Sequence, residues 1–200
     1  MNERTLDRAV FLDKDGTLID DVPYNVDPGL IRLAGGAAEG LVRLRSAGFR
    51  LFVVTNQSGV ARGIFPESAL AGVEARLCEL VLEVGAALDG FAHCPHHPEG
   101  VVADYATRCD CRKPEPGMIL RLANEHGVDL DRSWMVGDIL NDVEAGRRAG
   151  CRTVLIANGN ETEWVDAPDR RPDFTAADLA EAARLILGAD ESPAPPGARS

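Results

Sequence analysis

Short apolar runs alternate along this chain with longer segments of helical period. Ala9–Leu12, Phe49–Asn56, Gly90–Cys94, Ser133–Val136 and Arg152–Ala157 have the length and apolar density of strands buried on both faces. Between them, Leu41, Leu44 and Ala47 mark one apolar helix face over 36–48. Leu70, Val73, Leu77, Leu80, Val81 and Val84 mark another over 66–85, with Cys78 beside the stripe as a buried, inert thiol. Further helices are expected after Pro116-Gly117, over 140–150 and over 176–187, with a short strand at 173–175. Strand alternating with helix predicts an α/β fold, a Rossmann-like doubly wound parallel sheet. Ligand sites of such sheets lie at the C-terminal ends of the strands.

Polar groups collect at those ends. The first strand runs into Asp13-Lys14-Asp15-Gly16-Thr17, and a period of two aims both carboxylates at one point. Such a pair repels unless a cation or a shared proton lies between its members. Taken alone, Asp-x-Asp-Gly is equally a strand end followed by a turn. The acidic, Pro-containing loop 19–28 leaves from the same edge and is long enough to form a pocket wall. The second strand ends in Thr55-Asn56-Gln57-Ser58-Gly59, a hydroxyl, amides and a permissive glycine suited to an oxyanion. The fourth ends in Gly137-Asp138, with Asp142 four residues on and on the same helix face. With Asp13 and Asp15 these acids could enclose Mg²⁺, although Asp138 could equally cap a helix.

The formal net charge of −11 argues against an extended nucleic-acid surface. No apolar run approaches the roughly 20 residues of a membrane span, and the polar segment 1–8 favours the cytoplasm. Three of the five Cys crowd into 94–111, where Cys94-Pro95-His96-His97 is followed by Cys109-Asp110-Cys111, with twelve residues between His96 and Cys109. Cys94, Cys109 and Cys111 with His96 or His97 make a Cys₃His set for one tetrahedral, structural zinc. Arg112 and Lys113 follow at once, so a pinned loop would deliver a guanidinium and an ammonium to a defined place. A single domain over 1–190 is expected, with a disordered Pro-rich tail over 191–200.

Asp-x-Asp-Gly-Thr, Thr-Asn, Lys-Pro and Gly-Asp-x-x-x-Asp, in this order across about residues 9–157, resemble the haloacid dehalogenase (HAD) superfamily of phosphatases. Thr-Asn-Gln-Ser-Gly, Cys-Pro-His-His-Pro and Cys-Asp-Cys-Arg-Lys-Pro are similar to its D-glycero-D-manno-heptose 1,7-bisphosphate 7-phosphatase family. The connectors after the first two strands are too short to fold as a large cap domain. The resemblance implies an enzyme with Asp13 as nucleophile, Asp15 as acid/base, and Thr55 and Lys113 orienting the phosphoryl group. It implies Mg²⁺ on Asp13, the Asp15 carbonyl and Asp138, with Asp142 in support. It also implies zinc on Cys94, His96, Cys109 and Cys111, with His97 spared. Asn56 would add a polar contact and Arg112 would grip the sugar end or a second phosphate. Asp21, Val22, Pro23, Tyr24, Gln57 and Ser58 would line the sugar pocket. The implied protein is a cytoplasmic monomer making a precursor of surface polysaccharide such as lipopolysaccharide, with no nucleic-acid or membrane partner. Histidinol phosphatases carry a similar, shorter zinc loop and are the alternative, followed by nucleic-acid end phosphatases. The frequent Lys after the Gly-Asp pair of the heptose family is Ile139 here.

Overall fold

The computed structural model describes residues 6–191. Its strands are β1 (Ala9–Leu12), β2 (Arg50–Asn56), β3 (Gly90–Cys94), β4 (Trp134–Gly137), β5 (Arg152–Ile156) and β6 (Phe174–Ala176). They form one sheet in the order β3-β2-β1-β4-β5-β6, and every neighbouring pair is parallel. The apolar runs are continuous because both faces are covered. On one face, α1 (Ala37–Ser46), α2 (Leu70–Glu83) and α5 (Leu179–Glu191) pack on Val10, Leu12, Leu51, Val53 and Val136. On the other, α3 (Gly117–His126) and α4 (Leu140–Ala149) pack on Phe11, Phe52, Val54 and Met135. Successive residues of β1 therefore serve opposite cores.

β1 lies in the sheet's interior, flanked by β2 and β4. Leu12 pairs with Val53 and with Val136, so the two neighbours carry their polar ends to the same edge as Asp13. The Asp13 N–H extends the ladder by one bond, donating to the Val136 carbonyl at 2.9 Å. Beyond the strands, the β1–β2 connection holds the acidic loop, and the β3–β4 connection holds the Cys-His segment.

Three expectations are corrected. The last helix starts at Leu179 rather than 176, because the Asp178 carboxylate accepts the Glu181 N–H at 2.9 Å and fixes the first turn. It also runs through Gly188 to Glu191, so the tail expected from 191 begins inside a helix, and 192–200 lie outside the described residues. Cys78, expected as a buried thiol, is only half-buried. No helix among the described residues is long and apolar enough to cross a membrane.

Two glycines make opposite predictions about helix packing. A Cβ on Gly40 of α1 would stand 2.5 Å from the Leu179 carbonyl oxygen, so the two helices touch through that hydrogen-only surface. Gly188 of α5 has nothing within 4 Å of the same construction. Gly40→Ala should destabilise by about 1–3 kcal/mol through overpacking. Gly188→Ala should stabilise by up to about 1 kcal/mol through helix propensity. Urea unfolding followed by circular dichroism reads both signs.

Candidate active site

The ammonium of Lys113 occupies the centre of the strand-end constellation and is 3% exposed. It donates to the Asp13 carboxylate and, at 2.9 Å, to the Val54 carbonyl; Asp142 Oδ1 lies 2.6 Å away. Burial alone would push the Lys113 pKa down, but the Asp13 and Asp142 carboxylates more than offset it and hold the group above its usual range. The Lys113 main chain is strapped to the end of β2. Its N–H donates to Asn56 Oδ1 and its carbonyl accepts from Asn56 Nδ2, both at 3.0 Å.

Asp142 is fully enclosed in the first turn of α4, where its Oδ2 accepts the Ile139 N–H at 3.3 Å. Gly137 makes room for it, since a Cβ there would fall 2.2 Å from that oxygen. The cap position of α4 is Ile139, so Asp138 is not a helix cap; its Oδ2 instead accepts from Asn160 Nδ2 at 2.7 Å. Burial, then the nearby Asp13 charge, push Asp138 up to about 6. Burial pushes Asp142 up to about 7. Asp13, Asp138 and Asp142 each place one oxygen within 4.8 Å of the others. Three acids around one ammonium leave an excess of negative charge on hard oxygen donors, a set that fits Mg²⁺.

Asp15 differs from Asp13 in its surroundings. Its carboxylate is outside the three-acid group and partly exposed, with Lys14 Nζ 2.9 Å from Oδ1. Its Oδ2 accepts from Gln57 Nε2 at 3.1 Å, and the same amide donates to Thr55 Oγ1 at 2.9 Å. Burial raises the Asp15 pKa against the lowering effect of Lys14. Lys14, only 2% exposed, was not foreseen from the sequence. The signal in the sequence is a lysine set between two acids at a buried strand end, one of which, Asp15, is its partner.

A cleft of about 260 Å³ opens beside Asp15, lined by Asp21, Pro23, Tyr24, Asn56, Gln57 and Ser58 among others. Tyr24 holds φ of 57°, a left-handed backbone rare for a bulky residue and a recurrent mark of functional loops. Val22 is exposed and lies off the cleft wall, unlike its neighbours in the same loop. Arg112 also lies off this wall. It lines a separate depression of about 580 Å³ with His97, Arg108, Lys113 and Asn141.

The Cys-His segment closes into one cluster. The thiols of Cys94, Cys109 and Cys111 stand 3.1 to 3.5 Å apart, and His96 Nδ1 lies 3.7 Å from Cys94 and 3.4 Å from Cys111. None of the three is in a disulfide. A tetrahedral zinc with sulfur at about 2.3 Å requires ligand separations of about 3.8 Å, close to these. Burial pushes the Cys94 thiol far above its usual range and Cys111 up to about 11. His97 is engaged elsewhere: the Glu99 N–H donates to Nδ1 at 3.1 Å, and Arg62 meets Nε2 at 3.2 Å. Glu67 fastens the loop, accepting from Tyr105 at 2.8 Å and pairing with His93 at 3.0 Å.

Comparison with known proteins covers nearly all of this architecture. A HAD-hydrolase-like family matches residues 110–182. The D-glycero-β-D-manno-heptose-1,7-bisphosphate 7-phosphatase of Pasteurella multocida (strain Pm70) is 37% identical over 182 residues, covering 90% of this chain and 97% of that protein. The Yersinia pestis protein of the same name is 40% identical over 152 residues, covering 76% of this chain and 81% of its own. The crystal structure of a D,D-heptose 1,7-bisphosphate phosphatase from B. bronchiseptica, complexed with magnesium and phosphate, matches with a TM-score of 0.73. It is 30% identical and covers 91% of this chain and 99% of its own.

The Asn56 strap carries the prediction for this site. Asn56→Ala removes both hydrogen bonds to the Lys113 main chain and should cost about 1–3 kcal/mol in stability. Chemical denaturation of the purified variant measures the loss, and a loss below about 0.5 kcal/mol would show that the strap is not what holds Lys113.

Proposed function

This chain belongs to the D-glycero-β-D-manno-heptose-1,7-bisphosphate 7-phosphatase family of HAD-like hydrolases, and from that premise we propose that it removes the 7-phosphate of D-glycero-D-manno-heptose 1,7-bisphosphate. The product, heptose 1-phosphate, would serve surface-polysaccharide precursor synthesis. What carries the reading is the contrast between two neighbouring carboxylates. Asp13 is buried against an ammonium, whereas Asp15 borders an open cleft with its pKa raised by burial. Carboxylates in unlike environments can divide nucleophile and proton carrier between them.

In this mechanism an Asp13 oxygen attacks phosphorus in line and the bond to the sugar oxygen breaks. Asp15, held by Lys14 and Gln57, donates its proton to the departing oxygen. Water then attacks the aspartyl-phosphate and Asp15 takes the proton back. Lys113 and the Thr55 hydroxyl orient the phosphoryl oxygens. Asn56 contributes by holding Lys113, since both ends of its amide are engaged with that main chain. The sugar would lie against Asp21, Pro23, Tyr24, Gln57 and Ser58, with Val22 at the rim, and Arg112 would meet the second phosphate. Asp13, the Asp15 carbonyl and Asp138 would hold Mg²⁺, with Asp142 in support. When bound, Mg²⁺ neutralises charge on the transferring phosphoryl group. Cys94, His96, Cys109 and Cys111 would hold a structural zinc that stiffens the loop delivering Arg112 and Lys113. We take the enzyme to work as a cytoplasmic monomer, in a compartment where three adjoining thiols stay reduced.

Asp15→Asn should lower phosphate release from heptose 1,7-bisphosphate by about 10²–10⁴-fold, with histidinol phosphate and fructose 1,6-bisphosphate assayed alongside. Full turnover by that variant, or a wild-type preference for histidinol phosphate, would overturn the assignment. Cys109→Ser should lose stoichiometric zinc by elemental analysis and melt at a lower temperature, because the ligand set is then incomplete. Unchanged zinc content would remove Cys109 from the ligand set.

A further inference from the structure

The connection between β5 and β6 reaches back into the site at three points. Asn158 Nδ2 donates to the Gly16 carbonyl at 2.6 Å, and Asn158 Oδ1 accepts the Asn160 N–H at 3.1 Å. Asn160 Nδ2 then donates to Asp138 Oδ2 at 2.7 Å. One residue on, the Glu161 carboxylate accepts the Leu140 N–H at the start of α4. Gly159 lies between the two amides at φ of 93°, in the left-handed region that lets the turn close. A continuous run of hydrogen bonds thus joins the loop after β1 to the loop after β4.

The contact is close. A Cβ on Gly16 would lie 2.1 Å from Asp138 Oδ2 and 2.4 Å from Asn160 Nδ2, so the glycine, the carboxylate and the amide share one small space. The sheet no longer sets the spacing there, since the main-chain bond from Asp13 to Val136 lies before both Gly16 and Asp138 in the chain.

We infer that Asn158-Gly159-Asn160 is a bracket that sets the separation of the two carboxylate-bearing loops, and that Asn160 is a positioning residue for divalent-cation binding. The inference rests on the proposed Mg²⁺ site at Asp13 and Asp138. A buried carboxylate turns about its last bond unless one oxygen is tied, and a neutral amide ties it without adding charge. The second oxygen is then presented to the ion in one orientation. A carboxylate at position 160 would repel Asp138 instead. Partners of this kind around a ligand typically change metal affinity by 10–100-fold.

The test is Mn²⁺ titration of the purified, zinc-replete protein without substrate, followed by the electron paramagnetic resonance of the free ion. Asn160→Ala should bind Mn²⁺ about 10–100-fold more weakly than wild type, with an unchanged melting temperature in the absence of Mn²⁺. Asn158→Ala should weaken binding in the same direction. Trp164→Ala, an exposed position on the same loop, should bind as wild type does. In turnover, the Mg²⁺ needed for half-maximal rate should rise for Asn160→Ala while kcat returns at saturating Mg²⁺. Wild-type Mn²⁺ affinity in Asn160→Ala would overturn the bracket, as would equal weakening in Trp164→Ala. Failure of wild type to bind Mn²⁺ more tightly than Asp13→Asn would instead remove the underlying metal site, and the bracket with it.

Discussion

One buried ammonium decides what the rest of the molecule must do. Lys113 lies between Asp13 and Asp142, with the Val54 carbonyl as its third partner, and comes from a position 100 residues away from Asp13 in sequence. Removing one member of such a group leaves uncompensated buried charge, while assembling it requires every member to be brought out of water together. Main-chain delivery of Lys113 must therefore be accurate. Asn56 supplies one constraint from β2, and the Cys-His cluster, two residues upstream, supplies another.

The order of strands distributes the chemistry. β1 leads to Asp13 and Asp15, β2 carries Thr55 and the Asn56 strap, and β4 leads to Asp138 and Asp142. Because all neighbours are parallel, these groups meet at one edge with no need for a second layer of structure. The surrounding loops then differentiate two carboxylates of the same sequence motif. One meets an ammonium in the interior, and the other meets Lys14, Gln57 and an open cleft.

Strands and strand-end acids were legible in the sequence because burial on both faces leaves uninterrupted apolar runs, and each run stops at polar residues. The Cys-His cluster was legible through spacing except for the choice between His96 and His97, which came from the family resemblance, and the structure groups His96 with the three thiols. Other features depend on which atoms meet across distant segments. Lys14 stands between two acids in the sequence, but its burial follows only once both faces of β1 are seen to be covered. Asn56 and Gln57 look like oxyanion donors, yet their amides are engaged with the Lys113 main chain and with Asp15 and Thr55. Asn158-Gly159-Asn160 reads as another loop at the strand-end edge, but nothing local indicates that it faces Asp138. The start of α5 was displaced because Ala176 and Ala177 favour helix while the Asp178 side chain caps one beginning after them.

Tyr24 and its neighbours lie on a segment whose exposed side chains hold up none of the buried charges. Their side chains line the cleft and are not among the partners of Lys113. On the proposed function, the segment that would select is thus separate from the group that would react, an asymmetry that would let a lineage acquire a new substrate in small steps.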